Sequence, residues 1–312
     1  MRWEKQIDMP LLTIFTPAYN RAHTLPRTYQ SLLNQDCKDF IWLIIDDGST
    51  DHTGELVHKW QEKDNGFEIR YIYKMNGGMH TAHNTAYENI DTELNVCIDS
   101  DDELAEGAVS KILDKWANVK DKGYAGIIGL DADMNTGKVI GAGFPTNMEE
   151  TTLVDYYANG GYGDKKLVYR TEVINQYPPY PVFEGEKYVA LGYKYRLIDQ
   201  EYKMAILDDV LCHVEYQIDG SSRTMYKQYL ANPKGFAFWR KVSMQYPESK
   251  KRVFVDCIHY VSSSILSKNK KFIIESPRKG LTIIAIPFGV ALTLYIKSKV
   301  KKDGIFVDES RF

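Results

Sequence analysis

The chain has 312 residues, of which 44% are hydrophobic and 26% charged, the composition of an ordinary globular protein. This length suits one large α/β domain with an appendage, or two domains. The formal net charge of −3 argues against a general nucleic-acid binder. The four cysteines form no CxxC pair, so neither a zinc ribbon nor a disulfide framework is indicated and a reducing compartment is expected. Residues 1–10 lack the apolar segment of a signal peptide, and none is predicted.

The first third of the chain alternates between β-prone and helical segments. An apolar run from Leu11 to Thr16 reads as a strand that residues 17–20 end as a turn. Phe40 to Ile45 are apolar on both faces, as in a central parallel strand, and Glu68 to Lys74 form a third β-prone run. Helical spacing separates the three runs. This β-α-β-α-β order predicts a mostly parallel sheet with helices on both faces.

A glycine-containing loop, residues 74–84, follows the third predicted strand. Gly77 and Gly78 lead into a helix, whose first backbone N–H groups and dipole suit an anion such as phosphate. The alternative is a flexible turn that caps the helix. His80 and His83 lack the glutamate of the HExxH pattern, so a zinc site is not indicated.

The most informative stretch runs from Leu94 to Glu103, where a short apolar strand turns abruptly acidic. Asp99, Asp101 and Asp102 crowd its carboxyl end, and like charges this close repel each other unless a cation lies among them. Mg²⁺ and Mn²⁺ prefer oxygen ligands, and Mg²⁺ usually shares them with substrate phosphates. Ligands of open α/β sheets bind beyond the carboxyl ends of strands. The stretch therefore indicates a metal–diphosphate site, with a solvated acidic turn before a helix as the alternative.

The remaining motifs narrow the chemistry. Glu184 and Glu186 flank Gly185 ahead of a predicted helix, where a carboxylate could serve as a general base or simply belong to a capping turn. No GxxxxGK[ST] or GxSxG pattern occurs, which argues against a P-loop kinase and an α/β-hydrolase. From Met225 to about Ser267 the apolar spacing is helical.

Three motifs stand in order at the ends of predicted strands: Pro17-Ala18-Tyr19-Asn20, Asp46-Asp47-Gly48-Ser49-Thr50-Asp51 and Asp99-Ser100-Asp101-Asp102. Together they resemble the family-2 inverting glycosyltransferases of the GT-A fold. The loop from Asn76-Gly77-Gly78 to Asn84 resembles the one that family members place between the second and third motifs. The resemblance covers residues 10–220 approximately. It implies an α/β fold of the GT-A type, a Rossmann-like, mixed but mostly parallel sheet flanked by helices.

The resemblance also implies roles for individual residues. Tyr19 would stack on the nucleotide base, Asp47 would hydrogen-bond that base, Asp99 would approach the ribose or the metal, and Asp101 would bind Mn²⁺ or Mg²⁺ directly. Glu186 falls where the family keeps its catalytic base, often in a Glu-Asp pair. Here Lys187 follows instead of aspartate, so Glu184 stays the second candidate. The other residues expected to contact the nucleotide sugar are Pro17, Ala18, Asn20, Asn76, Gly77, Gly78, Asn84 and Ser100.

The sequence divides into two expected regions. Residues 1–222 form the GT-A catalytic domain, with a nucleotide-sugar half at about residues 10–130 and an acceptor half at about 131–222. Residues 223–312 form a helical C-terminal region with an apolar and basic tail.

The implied activity is the metal-dependent transfer of a hexosyl group, with inversion, from a nucleotide sugar of the UDP type. The acceptor would be a hydroxyl of a glycan or a lipid-linked molecule in cell-surface polysaccharide synthesis, and no nucleic acid would be involved. A sugar-nucleotidyltransferase and a non-catalytic sugar-nucleotide-binding module are the alternatives. A glycosyltransferase releases nucleoside diphosphate, whereas a nucleotidyltransferase releases pyrophosphate. Measured turnover would exclude the non-catalytic module.

The tail carries an uncharged run over residues 281–296. These sixteen residues include Pro287 and fall short of the roughly 20 that span a bilayer. Basic residues flank the run on both sides and favour contact with anionic lipid. The sequence therefore predicts a cytoplasmic protein held peripherally at the inner membrane face through residues 268–302, with a buried core helix as the alternative.

Overall fold

The computed structural model describes residues 10–215 and 225–302. The strands are β1 (Leu12–Ala18), β2 (Phe40–Asp46), β3 (Glu68–Tyr73), β4 (Leu94–Cys97), β5 (Glu103–Leu104), β6 (Gly126–Asp133), β7 (Glu150–Thr151), β8 (Lys165–Arg170) and β9 (Met204–Val214). The helices are α1 (Leu25–Leu33), α2 (Thr53–Gln61), α3 (Met79–Asn89), α4 (Ala108–Val119), α5 (Leu153–Ala158), α6 (Thr171–Asn175), α7 (Gly192–Ile198), α8 (Met225–Ala231), α9 (Pro233–Gln245), α10 (Lys250–Leu266), α11 (Phe272–Glu275) and α12 (Lys279–Lys302). A 3₁₀ turn at Lys120–Lys122 follows α4.

The nine strands of the described residues belong to one mixed sheet, in the order β3-β2-β1-β4-β8-β6-β9-β5 with β7 paired to β9. The first four strands of that order run parallel, whereas β8 lies antiparallel between β4 and β6. The predicted mixed, mostly parallel sheet is therefore found. Since β3, β2, β1 and β4 are neighbours and point the same way, the loops at their carboxyl ends share one edge of the sheet.

Strand β1 extends further than the sequence pattern indicates. Pro17 and Ala18 lie within it, paired in register with Ile45 and Asp46 of β2, rather than in a turn. Proline is excluded from most central strands because it has no N–H to donate. Here the pairing with β4 ends at Phe15. The alternation of the ladder directs the nitrogen of Pro17 to that unpaired side, so no sheet hydrogen bond is lost.

The sheet is covered on both faces. On one face Ile14 and Trp42 join a core with residues of α1, α2 and α4. On the other face the ring of Phe15 packs edge-on against His83 and Tyr87 of α3. Burial on both sides explains why β1 and β2 read as continuous apolar runs, since neither strand has a solvent-facing side.

The chain forms two compact units. The sheet unit comprises Met1–Pro179 and Ile198–Glu215, and the helical unit comprises Tyr180–Leu197 and Tyr216–Phe312. The expected boundary at residues 222–223 lies outside the described residues and stays a prediction; among the described residues, Tyr180–Leu197 belongs to the helical unit. Within this unit the Tyr188 ring stacks on Phe236 of α9 with 4.5 Å between ring centroids. The functional meaning of the two expected regions stays a prediction.

The helical unit is built around α10. Helices α9 and α12 both pack on it, through a core that includes Met244, Cys257, Val261 and Ala285. Arg240 of α9 and Asp256 of α10 form a buried ion pair at 2.7 Å, so neither charge is left uncompensated. The predicted helical pattern from Met225 to about Ser267 corresponds to α8, α9 and α10.

One helix among the described residues has the length and apolar composition needed to cross a membrane. This stretch, Lys279–Lys301 of α12, is 28% buried in its most apolar window. The continuous helix extends beyond the uncharged run of the sequence at both ends, over 24 residues.

Candidate active site

The turns after β1 and β2 are tied to each other. Asn20 adopts a left-handed backbone conformation with φ of 54°, which asparagine tolerates better than most residues. Its side-chain oxygen accepts a hydrogen bond from the backbone N–H of Thr50 at 2.8 Å, and its own N–H donates to Ser49 Oγ at 2.8 Å. Asn20 therefore fixes the direction of the adjacent Tyr19, whose side chain is 48% exposed at this edge of the sheet.

Asp47 organises the loop after β3. Its carboxylate accepts hydrogen bonds from the backbone N–H groups of Gly77 at 3.0 Å and Gly78 at 2.8 Å, and from the Lys74 ammonium. The N–H groups that the sequence suggested for a phosphate are thus occupied by a carboxylate of the protein itself. A carboxylate offers about four acceptor positions. Asp47 uses three of them here, which leaves capacity for one donor such as a nucleobase N–H.

Asn84 lies half-buried on α3, in the helix that this loop precedes. His80 and His83, on the same helix, are both buried. Burial lowers the pKa of His80 to about 4, so its imidazole is neutral at physiological pH. His83 approaches the Tyr87 hydroxyl and Cys97. Both rings therefore belong to the packing beneath the loop.

The acidic turn after β4 separates into an outward pair and an inward carboxylate. Asp99 and Asp101 are half-buried, whereas Ser100 and Asp102 are buried. The side chain of Asp102 turns inward, where it accepts the backbone N–H of Glu215 at 3.3 Å. Burial raises the pKa of Asp102 to about 8, against the attraction of Lys166. Asp102 is therefore a structural residue of the turn.

Helix α1 holds the backbone of this turn in place. The Arg27 guanidinium donates to the carbonyl oxygen of Asp101 and to Glu215 at 2.7 Å. The Thr28 hydroxyl donates to the carbonyl oxygen of Asp102 at 2.8 Å. With its backbone fixed from below, the turn presents Asp99 and Asp101 at the shared edge of the sheet.

The donor set at this edge fits a divalent metal shared with a diphosphate. Burial and the neighbouring Asp99 raise the pKa of Asp101, although Arg21 and Arg27 oppose the rise, so the two carboxylates repel each other. Within residues 10–215 and 225–302 no cluster of three or more histidine, cysteine or acidic side chains is arranged to hold a metal. Mg²⁺ needs only one or two protein carboxylates when substrate phosphates supply other oxygens. Asp101 and Asp99 meet that smaller requirement.

Lys166 of β8 lies beneath the acidic turn. Its ammonium is 3.7 Å from the Asp131 carboxylate, and both side chains are largely buried. Burial alone would lower the pKa of Lys166, but Asp131, Cys212, Asp102 and Asp99 outweigh it and raise that pKa well above the ordinary value. Lys166 is therefore a permanent positive charge under the carboxylates. It reaches this position because β8 pairs with β4 and β6.

Replacing Lys166 with methionine is expected to lower the free energy of unfolding by about 3–5 kcal/mol, since Asp131 would keep a buried charge without a partner. Denaturant unfolding followed by circular dichroism measures the loss. The double variant Lys166→Met/Asp131→Leu removes both charges and should regain most of the stability. A single variant as stable as the unmodified protein would contradict the pairing.

Glu186 occupies the N-terminus of α9 within the helical unit. Its carboxylate accepts hydrogen bonds from the backbone N–H groups of Lys234 at 2.9 Å and Gly235 at 2.8 Å, two first-turn donors that have no partner inside the helix. A side chain at Gly235 would collide with the carbonyl oxygen of Tyr188, at 2.0 Å from its Cβ, so glycine permits this close approach. The capping turn that the sequence suggested is therefore present, and Glu186, the residue that caps α9, is buried.

Glu186 also keeps capacity for a proton. Two of its roughly four acceptor positions are used by the helix, which leaves two. Burial raises its pKa, although the N–H groups of Gly235 and Lys234 and the Lys234 charge oppose the rise. A raised pKa brings a carboxylate closer to the value that suits general base catalysis near neutral pH. Glu184, by contrast, is exposed.

Comparison with known proteins identifies the family to which the chain belongs. The model of the family described as "Glycosyl transferase family 2" matches residues 13–177, more than half of the chain. The chain belongs to glycosyl transferase family 2. This membership confirms the resemblance and the prediction of a glycosyltransferase-type enzyme.

Curated relatives are similar to less than half of the chain. A GalNAc(5)-diNAcBac-PP-undecaprenol beta-1,3-glucosyltransferase of Campylobacter jejuni is 34% identical over 123 residues, which is 39% of this chain and 38% of the relative. A chondroitin synthase of Pasteurella multocida is 35% identical over 137 residues, 44% of this chain and 14% of the relative. The chain thus spans well under half of the length of these relatives.

Solved structures confirm the fold. Staphylococcus aureus TarS 1–349 in complex with UDP-GlcNAc matches with a TM-score of 0.56 and 16% identity, over 95% of this chain and 94% of that one. The mannosyltransferase PcManGT from Pyrobaculum calidifontis, in complex with GDP-Man and Mn²⁺, matches with a TM-score of 0.57 and 14% identity over 92% and 87%. The GT-A class and the C-terminal helices are therefore confirmed.

The structure brings together most residues that the sequence selected. Tyr19, Asp47, Asp99 and Asp101 stand at one edge of the sheet, while Pro17, Ala18 and Asn20 support that edge through strand pairing and the turn. The sequence reasoning missed the supporting residues Arg27, Thr28 and Lys166. Their contacts join segments that are far apart in the chain, and no local motif marks them.

Proposed function

We propose that the protein is a metal-dependent, inverting hexosyltransferase that uses a UDP-sugar. The observation that carries the proposal is the half-buried pair Asp99 and Asp101 at the sheet edge shared with Tyr19 and Asp47. A nucleoside diphosphate requires three kinds of group, and all are present. The two carboxylates suit the metal that accompanies the diphosphate, the exposed ring of Tyr19 suits the base, and Asp47 has one acceptor position left for a base N–H. The structure of TarS with UDP-GlcNAc, a protein of the same fold, supports a UDP-sugar as the donor.

Donor binding follows from these side chains. Tyr19 stacks on the uracil ring, and Asp47 accepts a hydrogen bond from the base with its remaining position. Asp99 approaches the ribose or the metal, and Asp101 is the direct metal ligand. A bound Mn²⁺ or Mg²⁺ supplies Lewis-acid stabilisation of the negative charge on the diphosphate. Lys166 lies below the acidic turn and attracts the Asp99 carboxylate. This attraction limits the repulsion between Asp99 and Asp101 before the cation binds.

The transfer needs a base because an acceptor hydroxyl is a poor nucleophile at neutral pH. Glu186 takes the hydroxyl proton while the acceptor oxygen forms a bond to the anomeric carbon of the donor. The bond from that carbon to the diphosphate oxygen breaks, and its electron pair leaves with the nucleoside diphosphate. A single displacement inverts the anomeric configuration and requires no covalent enzyme intermediate.

The names of relatives indicate the acceptor class. The Campylobacter jejuni relative is named for an undecaprenol-linked glycan, and other relatives include a chondroitin synthase and a teichoic acid poly(glycerol phosphate) polymerase of Staphylococcus epidermidis. We infer a glycan or lipid-linked acceptor in the synthesis of a cell-surface polymer. A lipid-linked acceptor would place the enzyme at the cytoplasmic face of the membrane.

Thermal unfolding with a panel of sugar nucleotides and Mn²⁺ tests the donor. A ligand at 100 times its Kd stabilises the folded state by about 2.7 kcal/mol, so the true donor raises the Tm clearly. Incubation of that donor with short glycan and lipid-linked acceptors should then release UDP and yield a glycosylated product of inverted configuration. Released pyrophosphate, or donor binding without turnover on any acceptor, would overturn the proposal.

A further inference from the structure

Helix α12 distributes its polar and apolar residues in the opposite way to a helix on the surface of a water-soluble protein. The side that packs within the helical unit carries small or hydroxylated residues along most of its length, at helical spacing. This inner side comprises Thr282, Ala285, Gly289, Thr293, Ile296 and Val300. In a water-soluble helix the inner side is the apolar one.

The inner side packs closely and satisfies its own polar groups. A side chain at Gly289 would lie only 2.4 Å from Val261 of α10, which shows how near the two helices approach. The Thr293 hydroxyl bonds to Ser262 of α10 at 3.0 Å and to the carbonyl oxygen of Gly289 at 2.9 Å. Small residues and hydroxyl bonds at a helix interface are typical of helices that pack inside lipid.

The outer face of α12 is apolar throughout the uncharged run. We define it as the exposed residues between 281 and 296, namely Leu281, Ile283, Ile284, Pro287, Phe288, Val290, Ala291, Leu294 and Tyr295. Ile284 is 60% and Leu294 64% exposed. Isolated exposed apolar residues are ordinary on a protein surface, but a contiguous face of this kind indicates an interaction site.

The charge around the outer face identifies its partner. Residues 268–302 contain nine basic residues and one acidic residue, Glu275. The lysines of α12 stand at the ends of the run, with Lys279 before it and Lys297, Lys299 and Lys301 after it, all exposed. A second copy of the chain would bring these like charges together, whereas an anionic lipid surface would attract them.

We propose that the outer face of α12 embeds in an anionic membrane surface. The apolar side chains enter the acyl-chain boundary, and the lysines at both ends contact the headgroups. The whole helix is long enough to cross a bilayer, but we place it in the interface because its uncharged run is about 24 Å long at 1.5 Å per residue, against a hydrocarbon core of about 30 Å. Lipid binding is independent of the transfer reaction and is measured without donor or acceptor.

Vesicle flotation of the full chain tests the proposal with two kinds of liposome. One contains phosphatidylcholine alone, and the other also contains phosphatidylglycerol. The protein should float with the anionic vesicles at low salt and less so at high salt, because the attraction decays within a Debye length. Replacing Lys297, Lys299 and Lys301 with glutamine should weaken binding to anionic vesicles by about fivefold per lysine.

Substitutions on the outer face separate lipid binding from folding. Ile284→Glu/Leu294→Glu should abolish flotation while the Tm stays within a few degrees, because both side chains are already exposed. Val182→Glu, at an apolar position of the same unit that is 66% exposed but lies outside α12, is the matched control and should float like the unmodified protein. Two outcomes overturn the proposal. One is flotation by the double variant; the other is a protein that ignores vesicles and sediments as a dimer that the double variant makes monomeric.

Discussion

Replacing Asp101 with alanine is expected to reduce UDP affinity in the presence of Mn²⁺ to the value measured without metal. Charge-assisted contacts contribute about 1.5–3 kcal/mol each, which corresponds to an increase of about 10- to 150-fold in Kd. The contacts of Tyr19 and Asp47 with the nucleoside do not depend on the metal, so weak binding should persist. Isothermal titration of UDP into the variant, with and without Mn²⁺, measures the effect.

A matched control separates this effect from general loss of negative charge. Asp114 is an exposed residue of α4, and Asp114→Ala removes one carboxylate outside the acidic turn. This control should bind UDP with the full Mn²⁺ dependence of the unmodified protein. The Asp101 variant should stay folded, because the turn backbone is held by Arg27 and Thr28 rather than by the Asp101 side chain. Unchanged Mn²⁺-dependent affinity in Asp101→Ala would remove the metal assignment.

The sequence predicts the position of this site well because the relevant side chains follow parallel strands. Tyr19, Asp47 and Asp99 each stand within three residues of the end of an apolar run, and parallel strands place their carboxyl ends at one edge whatever their order in the sheet. The sequence does not show what each carboxylate does locally. Asp47 binds the backbone of the loop after β3 and Asp102 turns inward, since the hydrogen bonds that they accept from Gly78 and Glu215 depend on tertiary packing.

The residues that support the acidic turn from below cannot be predicted from the sequence, and the reason is physical. Lys166 follows a loop-rich region and stands next to Lys165 in an unremarkable polar stretch. Only the antiparallel insertion of β8 between β4 and β6 carries it under the acidic turn and brings its ammonium to 3.7 Å from the Asp131 carboxylate. Long-range pairing of this kind leaves no periodicity in the sequence. The burial of Glu186 has the same origin, because the helix it caps begins 47 residues later at Pro233.

Replacing Glu186 with glutamine is expected to lower kcat by about 10²- to 10⁴-fold, the usual contribution of a general base. The KM for the donor should change little, since Glu186 is assigned to the acceptor proton and not to the nucleotide. Steady-state kinetics with saturating acceptor measures both quantities. The equivalent change at the exposed neighbour, Glu184→Gln, is the control and should leave kcat nearly unchanged; the reverse outcome would transfer the role of base to Glu184.

The capping role of Glu186 requires a second readout, because glutamine accepts through one oxygen and leaves Lys234 or Gly235 with a poorer partner. That loss costs about 1–3 kcal/mol of stability, so the assays must be run well below the Tm of the variant.

The pH profile of kcat then distinguishes a catalytic base from a helix cap. A base works as the carboxylate, and burial raises the pKa of Glu186, so kcat of the unmodified enzyme should fall with decreasing pH through a pKa above the ordinary glutamate value of about 4.3. Glu186→Gln should retain a small kcat without that acidic limb, whereas a variant that keeps the limb at reduced amplitude would show that Glu186 only supports α9.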